Sequence, residues 1–256
     1  MKTYGVYIGW EPREVAAFAV ARDSIMSTAR NPQRYHVYPV HLDTLRASGL
    51  YTRPHSTRAG PDGGRVMWDD ISGAPMATEF ACSRFLVPEL ERPRQSIGGR
   101  SPWALFMDCD MLIRRDLRGL FELCESNADK AVMVVKHNHN PSNTTKMDGQ
   151  EQTRYSRKNW SSVCAFNMAH PSNEALTREV VNDVPGRELH AFCWLRDDEI
   201  GELPAEWNYL VGHTKGIREP SIVHFTDGIP LMAGYEKCEF AEEWKSCLRE
   251  WAFDPA

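Results

Sequence analysis

The hydrophobic pattern at the start of the chain changes from a strand periodicity to a helix periodicity and back. Thr3–Gly9 is a run of β-branched and aromatic residues closed by glycine, which predicts a first strand. After Pro12, apolar residues recur at spacings of three and four as far as Ala29, which is typical of a helix. Tyr35–Leu42 predicts a second strand, with Pro39 confined to its edge or end. This order indicates an α/β fold with a parallel sheet.

The same reading continues along the rest of the chain. It predicts strands over Trp103–Met107, Ala131–Lys136, Trp160–Met168 and Ser221–Phe225, and helices over Ala77–Leu90, Leu117–Cys124, Ser172–Val184 and Glu239–Trp251. The helix that begins at Ala77 is expected to stop near Pro88, and Arg53–Gly64, rich in proline and glycine, is expected to be a mobile loop. Because the α/β pattern resumes after that loop, we expect a single domain over residues 1–256, with 236–256 as a C-terminal helical elaboration.

Composition and charge exclude several classes of protein. Of the 256 residues, 42% are hydrophobic and 25% are charged, which is typical of globular chains and excludes a disordered one. The net charge of −5 gives no support to a dedicated nucleic-acid binder. No apolar run approaches the ~20 residues that span a bilayer. The N-terminus runs straight into the first strand without a signal-peptide core, so we expect a cytoplasmic protein. The seven cysteines lack C-x-x-C spacing and are expected to be free thiols.

Two carboxylates mark the most informative stretch, A-L-F-M-D-C-D-M-L. Asp108 and Asp110 directly follow an apolar strand at positions i and i+2, so both should point the same way while Cys109 points back. Ligands of open α/β sheets bind at the carboxyl ends of strands. Two carboxylates that converge there repel each other unless a cation lies between them, which favours Mg²⁺ or Mn²⁺. The alternative is a solvated turn that carries two surface aspartates.

A histidine in the second half of the chain is a candidate for the same site. Pro220–Pro230 reads P-S-I-V-H-F-T-D-G-I-P, a short apolar strand that ends in His224 and a glycine-containing turn. A neutral imidazole at that place can supply a nitrogen ligand to a divalent ion. Taken alone, a histidine in an apolar run is more often a hydrogen-bonded core residue, and it is the carboxylate pair that favours the ligand interpretation of His224.

Five motifs in fixed order carry a family resemblance. They are T-E-F-A-C-S-R-F-L-V-P-E-L, A-L-F-M-D-C-D-M-L, N-W-S-S-V-C-A-F-N, L-P-A-E-W-N and I-V-H-F-T-D-G. Over Tyr4 to about Tyr235 the chain resembles nucleotide-sugar glycosyltransferases of the GT-A fold. It is most similar to the family 8 kind, which includes glycogenin and bacterial lipopolysaccharide galactosyltransferases, and within it to a bacterial subgroup. The resemblance implies a Rossmann-like, mixed, mainly parallel sheet flanked by helices.

The resemblance also implies site residues. Asp108, Asp110 and His224 are implied to hold Mn²⁺, or Mg²⁺, against the diphosphate of a UDP-sugar or similar donor. The implied nucleotide-sugar-binding set is Tyr7, Gly9, Trp10, Arg84, Asp108 and Cys109. Tyr7, Gly9 and Trp10 match the place where the base is held, and Arg84 matches an arginine that reaches the donor sugar or diphosphate. The acceptor, whether a glycan, a lipid-linked molecule or another compound, is left open.

Two departures from the family pattern affect these implied roles. Asp197 and Asp198 resemble the acidic segment beneath the reacting sugar and are the implied catalytic residues, with Asp198 in place of the family's usual glutamine. The Lys-Pro-Trp that often follows the family's histidine is absent here, and the basic stretch Lys146–Lys158 is one candidate to supply the missing charge. The resemblance implies a hexosyltransferase-like enzyme that retains the anomeric configuration.

Two other functions compete with sugar transfer. A catalytically impaired module would bind a nucleotide sugar without turnover. A D-x-D phosphohydrolase would use Asp108 as its nucleophile, but in that class the motif normally continues into Gly-Thr near the chain start, whereas Met111 and Leu112 follow here.

Overall fold

A computed structural model describes residues 1–60, 64–137, 157 and 159–253. The strands are β1 (Thr3–Gly9), β2 (Tyr35–Val40), β3 (His55–Ala59), β4 (Arg65–Asp69), β5 (Ala74–Pro75), β6 (Arg100–Met107), β7 (Met111–Ile113), β8 (Val132–Val134), β9 (Val163–Asn167), β10 (Ile200–Glu202), β11 (Tyr209–Leu210) and β12 (Ile222–His224). The α-helices are α1 (Val15–Thr28), α2 (Leu42–Ala47), α3 (Val87–Glu91), α4 (Arg118–Glu125), α5 (Arg178–Asp183), α6 (Gly186–His190) and α7 (Ala241–Phe253). Short 3₁₀ turns join several of these elements.

The central sheet of the described residues has the strand order β10-β8-β9-β6-β1-β2. The pairs β10–β8, β6–β1 and β1–β2 are parallel, whereas β9 runs antiparallel to both of its neighbours. Strands β1 and β6 are buried almost throughout, because layers of helix and loop cover both faces of the sheet. The predicted mixed, mainly parallel α/β fold is confirmed.

A smaller sheet lies beside the end of β6 and holds His224 next to the segment that follows β6. In it, β12 pairs antiparallel with β7 and parallel with β11. The register places His224 opposite Met111, and the Phe225 N–H donates to the Asp110 carbonyl at 2.9 Å. The chain after β6 therefore turns directly into a strand that holds a segment from the far end of the sequence.

The prediction of a loop over Arg53–Gly64 was wrong for most of its described residues. Strands β3 and β4 pair antiparallel across this region, and β5 completes a three-stranded sheet. Most β3 side chains are exposed, so the strand carries none of the apolar alternation that would have revealed it. Arg53 is buried and forms a two-pronged ion pair with Asp69, at 2.7 and 2.6 Å, that ties the start of the hairpin to its second strand.

The helix predicted over Ala77–Leu90 is shorter than expected. Its regular part is a 3₁₀ turn over Ser83–Leu86 followed by α3, and Pro88 lies in the first turn of α3 rather than at its end. Proline is tolerated there because the N–H groups of the first turn have no partner within the helix. Similarly, Pro185 precedes and Gly186 begins α6, where the sequence pattern had placed the end of a longer helix.

The last helix, α7, packs against α1. Trp244 is fully buried, and the Cys247 thiol lies 3.7 Å from the Val20 carbonyl of α1. All seven cysteines are free thiols, as expected. Within the described ranges, no helix has the length and apolar character that a bilayer crossing requires.

Candidate active site

A cavity of about 250 Å³ opens at the carboxyl end of β6. Its walls come from the turn after β6, the segment after β12, the 3₁₀ turn before β9, and α6. The three-stranded sheet β3-β4-β5 contributes Asp69 of β4 and residues 74–75 of β5 to the lining. Cavities at the strand ends of α/β sheets are the usual ligand sites of such folds.

Asp108, Asp110 and His224 converge at this cavity. Their ligand atoms all lie within 4.8 Å of one another. His224 Nε2 is 3.3 Å from Asp110 Oδ1, and the His224 side chain is only 2% exposed. The two aspartates retain 16% and 15% exposure, so their carboxylates are open toward the cavity. The expected convergence of these three side chains is therefore present in the fold.

This donor set fits a hard divalent cation. Two carboxylates and one imidazole are ligands that Mg²⁺ and Mn²⁺ accept, and a short separation between like charges favours a cation between them. Among the described residues, carboxylates also outnumber guanidinium groups along the cavity lining. The acidic members are Glu14, Asp69, Asp108, Asp110 and Asp227, and the guanidinium groups are those of Arg84 and Arg187.

Arg84 is held rigidly beside the carboxylates. Its Nη1 lies 2.8 Å from Asp108 Oδ1 and donates to the Ser161 carbonyl at 3.0 Å. The guanidinium carbon lies 5.3 Å from the Phe80 ring centroid and 4.9 Å from that of Phe106. An arginine clamped in this way presents positive charge to an anionic ligand without having to reorganise.

His190 of α6 is a cavity residue that sequence reasoning missed. Its Nδ1 lies 2.8 Å from the Ser161 hydroxyl oxygen. Burial, and secondarily the Arg84 charge, hold the pKa of His190 well below its usual range. Ser161 lies in the motif N-W-S-S-V-C-A-F-N, but nothing in the sequence around His190 distinguishes it from a surface histidine.

The lowered pKa of His190 gives a testable acid sensitivity. Below the ordinary histidine pKa of about 6.5, His190 binds a proton in the unfolded chain but not in the folded chain. The free energy of unfolding therefore falls as pH falls. We expect the free energy of unfolding to drop by up to about 1.4 kcal/mol per pH unit from this group alone. In urea denaturation series, the free energy of unfolding of His190→Gln should decline less steeply below pH 6.5 than that of the wild type. Parallel curves for the two proteins would contradict the assignment.

Gly9, Tyr7 and Trp10 are not among the residues that line the cavity. A Cβ on Gly9 would stand 2.5 Å from the Phe80 ring, so glycine allows Phe80 to pack over the end of β1. The Tyr7 hydroxyl donates to buried Glu91 at 2.8 Å. The Trp10 ring packs edge-on against Phe18, with centroids 5.0 Å apart. Their expected contact with a nucleotide base stays a prediction.

Cys109 lies between the two aspartates, in the turn that joins β6 to β7, and is not among the residues that line the cavity. Its side chain is fully buried, and its thiol lies 3.7 Å from the Glu14 carboxylate, to which it donates. Burial, followed by the Glu14 charge, raises the pKa of the Cys109 thiol well above its usual value. The thiol is therefore a neutral packing group. If Cys109 contacts a nucleotide-sugar donor, it does so through its backbone.

Asp197 and Asp198 lie in an exposed 3₁₀ turn and are not among the residues that line the cavity. Their side chains are 87% and 71% exposed. Asp197 pairs with Arg157, and Asp198 lies 3.1 Å from Arg196 Nε. Of the basic stretch Lys146–Lys158, only Arg157 belongs to the described residues, and the remainder lies outside them.

The chain is similar along nearly its whole length to a known plant protein. Protein CDI of Arabidopsis thaliana is 37% identical over 255 residues, which cover 98% of this chain and 88% of that protein. No family profile matches the chain.

Solved structures share the fold at low sequence identity. The bifunctional glycosyltransferase WbbM superposes with a TM-score of 0.62 at 15% identity, over 98% of this chain and 51% of WbbM. The glycosyltransferase GlyE of Streptococcus pneumoniae TIGR4 gives 0.56 at 12% identity, over 99% and 64%. The galactosyltransferase LgtC, in complex with donor and acceptor sugar analogues, gives 0.53 at 14% identity, over 97% and 99%. The chain thus spans about half of WbbM and less than two thirds of GlyE, and it has a glycosyltransferase fold.

Proposed function

The chain belongs to the family of Protein CDI from Arabidopsis thaliana, and from its glycosyltransferase fold we propose that it transfers a sugar from a nucleotide-diphosphate-sugar donor to an acceptor. The observation that carries this proposal is the group of Asp108, Asp110 and His224 at the strand-end cavity, with Arg84 beside it. The motif order that resembles family 8, and within it a bacterial subgroup, supports a UDP-sugar as donor and a hexosyl group as the cargo.

In this proposal the site acts mainly by stabilising the negative charge of the leaving group. Breaking the anomeric C–O bond leaves negative charge on the departing phosphate. A divalent cation held by Asp108, Asp110 and His224 would supply Lewis-acid stabilisation of that charge. Arg84 adds a second, preorganised positive charge at the place where the negative charge forms. The carboxylate-rich lining repels a bare diphosphate, so donor binding should depend on the cation.

A panel of nucleotide sugars tests the proposal. The full chain is titrated with each donor in the presence of Mn²⁺, Mg²⁺ or chelator, and free nucleoside diphosphate is followed over time. We expect tight binding and slow hydrolysis of one donor only when the divalent ion is present. Binding without any turnover, including transfer to water, would favour the non-catalytic module instead. Phosphate release with label trapped on Asp108 would favour the phosphohydrolase.

The role of Asp197 and Asp198 has its own test. A carboxylate below the sugar stabilises an oxocarbenium-like transition state, so the proposed role of Asp198 predicts that Asp198→Asn lowers kcat far more than it raises donor KM. Asp197→Asn should have a smaller effect if that residue only orients its neighbour. Asp227→Asn is the matched comparison, because Asp227 lines the cavity whereas the other two are exposed. A larger kcat loss in Asp227→Asn than in Asp198→Asn would remove the role from Asp198.

Retention of the anomeric configuration is part of the same proposal. With a retaining mechanism, the leaving phosphate takes the acceptor's proton on the face from which it departs, so no separate base is needed on the opposite face. Proton NMR of the freshly formed product with a defined acceptor distinguishes the two outcomes. An inverted product would overturn the mechanism and leave sugar transfer standing.

A further inference from the structure

Asn208 lies directly behind His224, on the ring edge opposite the carboxylates. It is fully buried, and its Oδ1 is 3.0 Å from His224 Nδ1. The other ring nitrogen of His224, Nε2, is the one that lies 3.3 Å from Asp110 Oδ1. Asn208 belongs to the motif L-P-A-E-W-N, so the sequence marks it as a motif residue without giving it a role.

The orientation of the Asn208 amide is fixed by its other partners. Its Nδ2 lies 3.3 Å from the backbone carbonyl of Asn159 and 2.9 Å from the Ser162 hydroxyl. A carbonyl only accepts hydrogen bonds, so the group facing Asn159 must be the amide NH₂. The Ser162 hydroxyl donates its own hydrogen bond to the same Asn159 carbonyl, at 2.7 Å. It therefore accepts the hydrogen bond from the Asn208 amide. The carbonyl end of Asn208 is left facing His224.

This orientation decides which nitrogen of His224 carries the proton. Because Asn208 Oδ1 accepts, a neutral ring that makes this hydrogen bond donates from Nδ1 and turns the lone pair of Nε2 toward the carboxylates. Without that acceptor, the competing tautomer would carry its proton on Nε2 and donate it to Asp110, which would block both the ring and the carboxylate as ligands.

We infer that Asn208 is a positioning residue that fixes the tautomer of His224 so that Nε2 faces Asp108 and Asp110 as an acceptor. Its value for cation binding rests on the proposed function, but the tautomer itself belongs to the protein without any cation. Partners of this kind are typically worth about 10–100-fold in metal affinity.

The first measurement is the tautomer. Long-range ¹H–¹⁵N spectra of the cation-free full chain, labelled on histidine and held near pH 8.5 so that ordinary imidazoles are neutral, separate the two tautomers by their ¹⁵N shifts. His224→Gln assigns the signal. We expect the Nδ1–H pattern in the wild type and in Asn208→Asp, which keeps an acceptor toward the ring, and a shift toward Nε2–H in Asn208→Leu. An Nε2–H pattern in the wild type would overturn the inference even if no variant could be purified.

The second measurement is affinity. Calorimetric titration with Mn²⁺ alone should show about 10–100-fold weaker binding in Asn208→Leu. Asn173→Leu is the matched control, because Asn173 is also a buried amide that donates to two carbonyls, those of Ala131 and Asn167. It should lose stability yet keep both the His224 tautomer and the Mn²⁺ affinity. Equal Mn²⁺ loss in Asn173→Leu would reduce Asn208 to a packing role and overturn the inference. Nδ1–H in a wild type that binds no Mn²⁺ would instead contradict the cation part of the proposed function alone and leave the tautomer assignment intact.

Discussion

Asp110→Asn is expected to abolish cation-dependent donor turnover while leaving the fold intact. Lewis-acid stabilisation is worth several kcal/mol, and each 1.36 kcal/mol is tenfold in rate, so the expected loss is about 10³-fold or more. The amide keeps the shape of the carboxylate and removes one of two adjacent like charges, so the melting temperature should stay level or rise. Calorimetry with Mn²⁺ and a donor hydrolysis assay measure the two effects.

The matched control for this substitution is Asp43→Asn, which makes the same change at an exposed position of α2. It should leave Mn²⁺ affinity and turnover unchanged. Normal turnover in Asp110→Asn with wild-type dependence on Mn²⁺ would show that the carboxylate pair holds no essential cation.

Arg84→Met is expected to cost both activity and stability. Removing a preorganised donor from a developing anion typically costs about 10²–10³-fold in kcat. Breaking a buried ion pair leaves an uncompensated charge, and because Asp108 keeps 16% exposure we expect about 3 kcal/mol of unfolding free energy rather than more. Urea denaturation measures the stability loss, and methionine preserves the stem that packs on Phe80 and Phe106.

A divalent cation separates the electrostatic cause from a packing defect. If the stability loss of Arg84→Met comes from the uncompensated Asp108 carboxylate, millimolar Mn²⁺ should recover part of it and stabilise the variant more than the wild type. Arg118→Met is the control, because its pair with Glu122 is exposed on both sides and should contribute little to stability. No extra stabilisation by Mn²⁺ would assign the loss to packing.

Local pattern was enough for the elements whose burial is continuous. Thr3–Gly9, the helix after Pro12 and the strand before Asp108 were all predicted close to their observed bounds, since a strand covered on both faces must be apolar and a helix against a sheet must be periodic. Asp108 and Asp110 line the cavity and Cys109 is buried outside its lining, as predicted, but all three lie in the turn between β6 and β7, so strand alternation is not the reason.

Elements defined by a partner could not be predicted in the same way. Strand β3 is exposed and polar and exists because β4 pairs with it, so its composition resembles that of a loop. Pro88 carries the same local signal at the end or in the first turn of a helix, and only the packing around α3 chose between them.

The sequence by itself determined the α/β class, the buried strand that ends in two aspartates, and the motif order that resembles glycosyltransferases. The tertiary structure decided which distant residues meet. Pairing of β12 with β7 brings His224 to Asp110, and the amide of Asn208 then orients the imidazole. It also left Asp197 and Asp198 exposed and brought His190 to the cavity. The physical reason is that a hydrophobic pattern shows only that a residue is buried, whatever packs against it. A functional site depends on which particular side chains lie next to one another, and that is set by the tertiary structure.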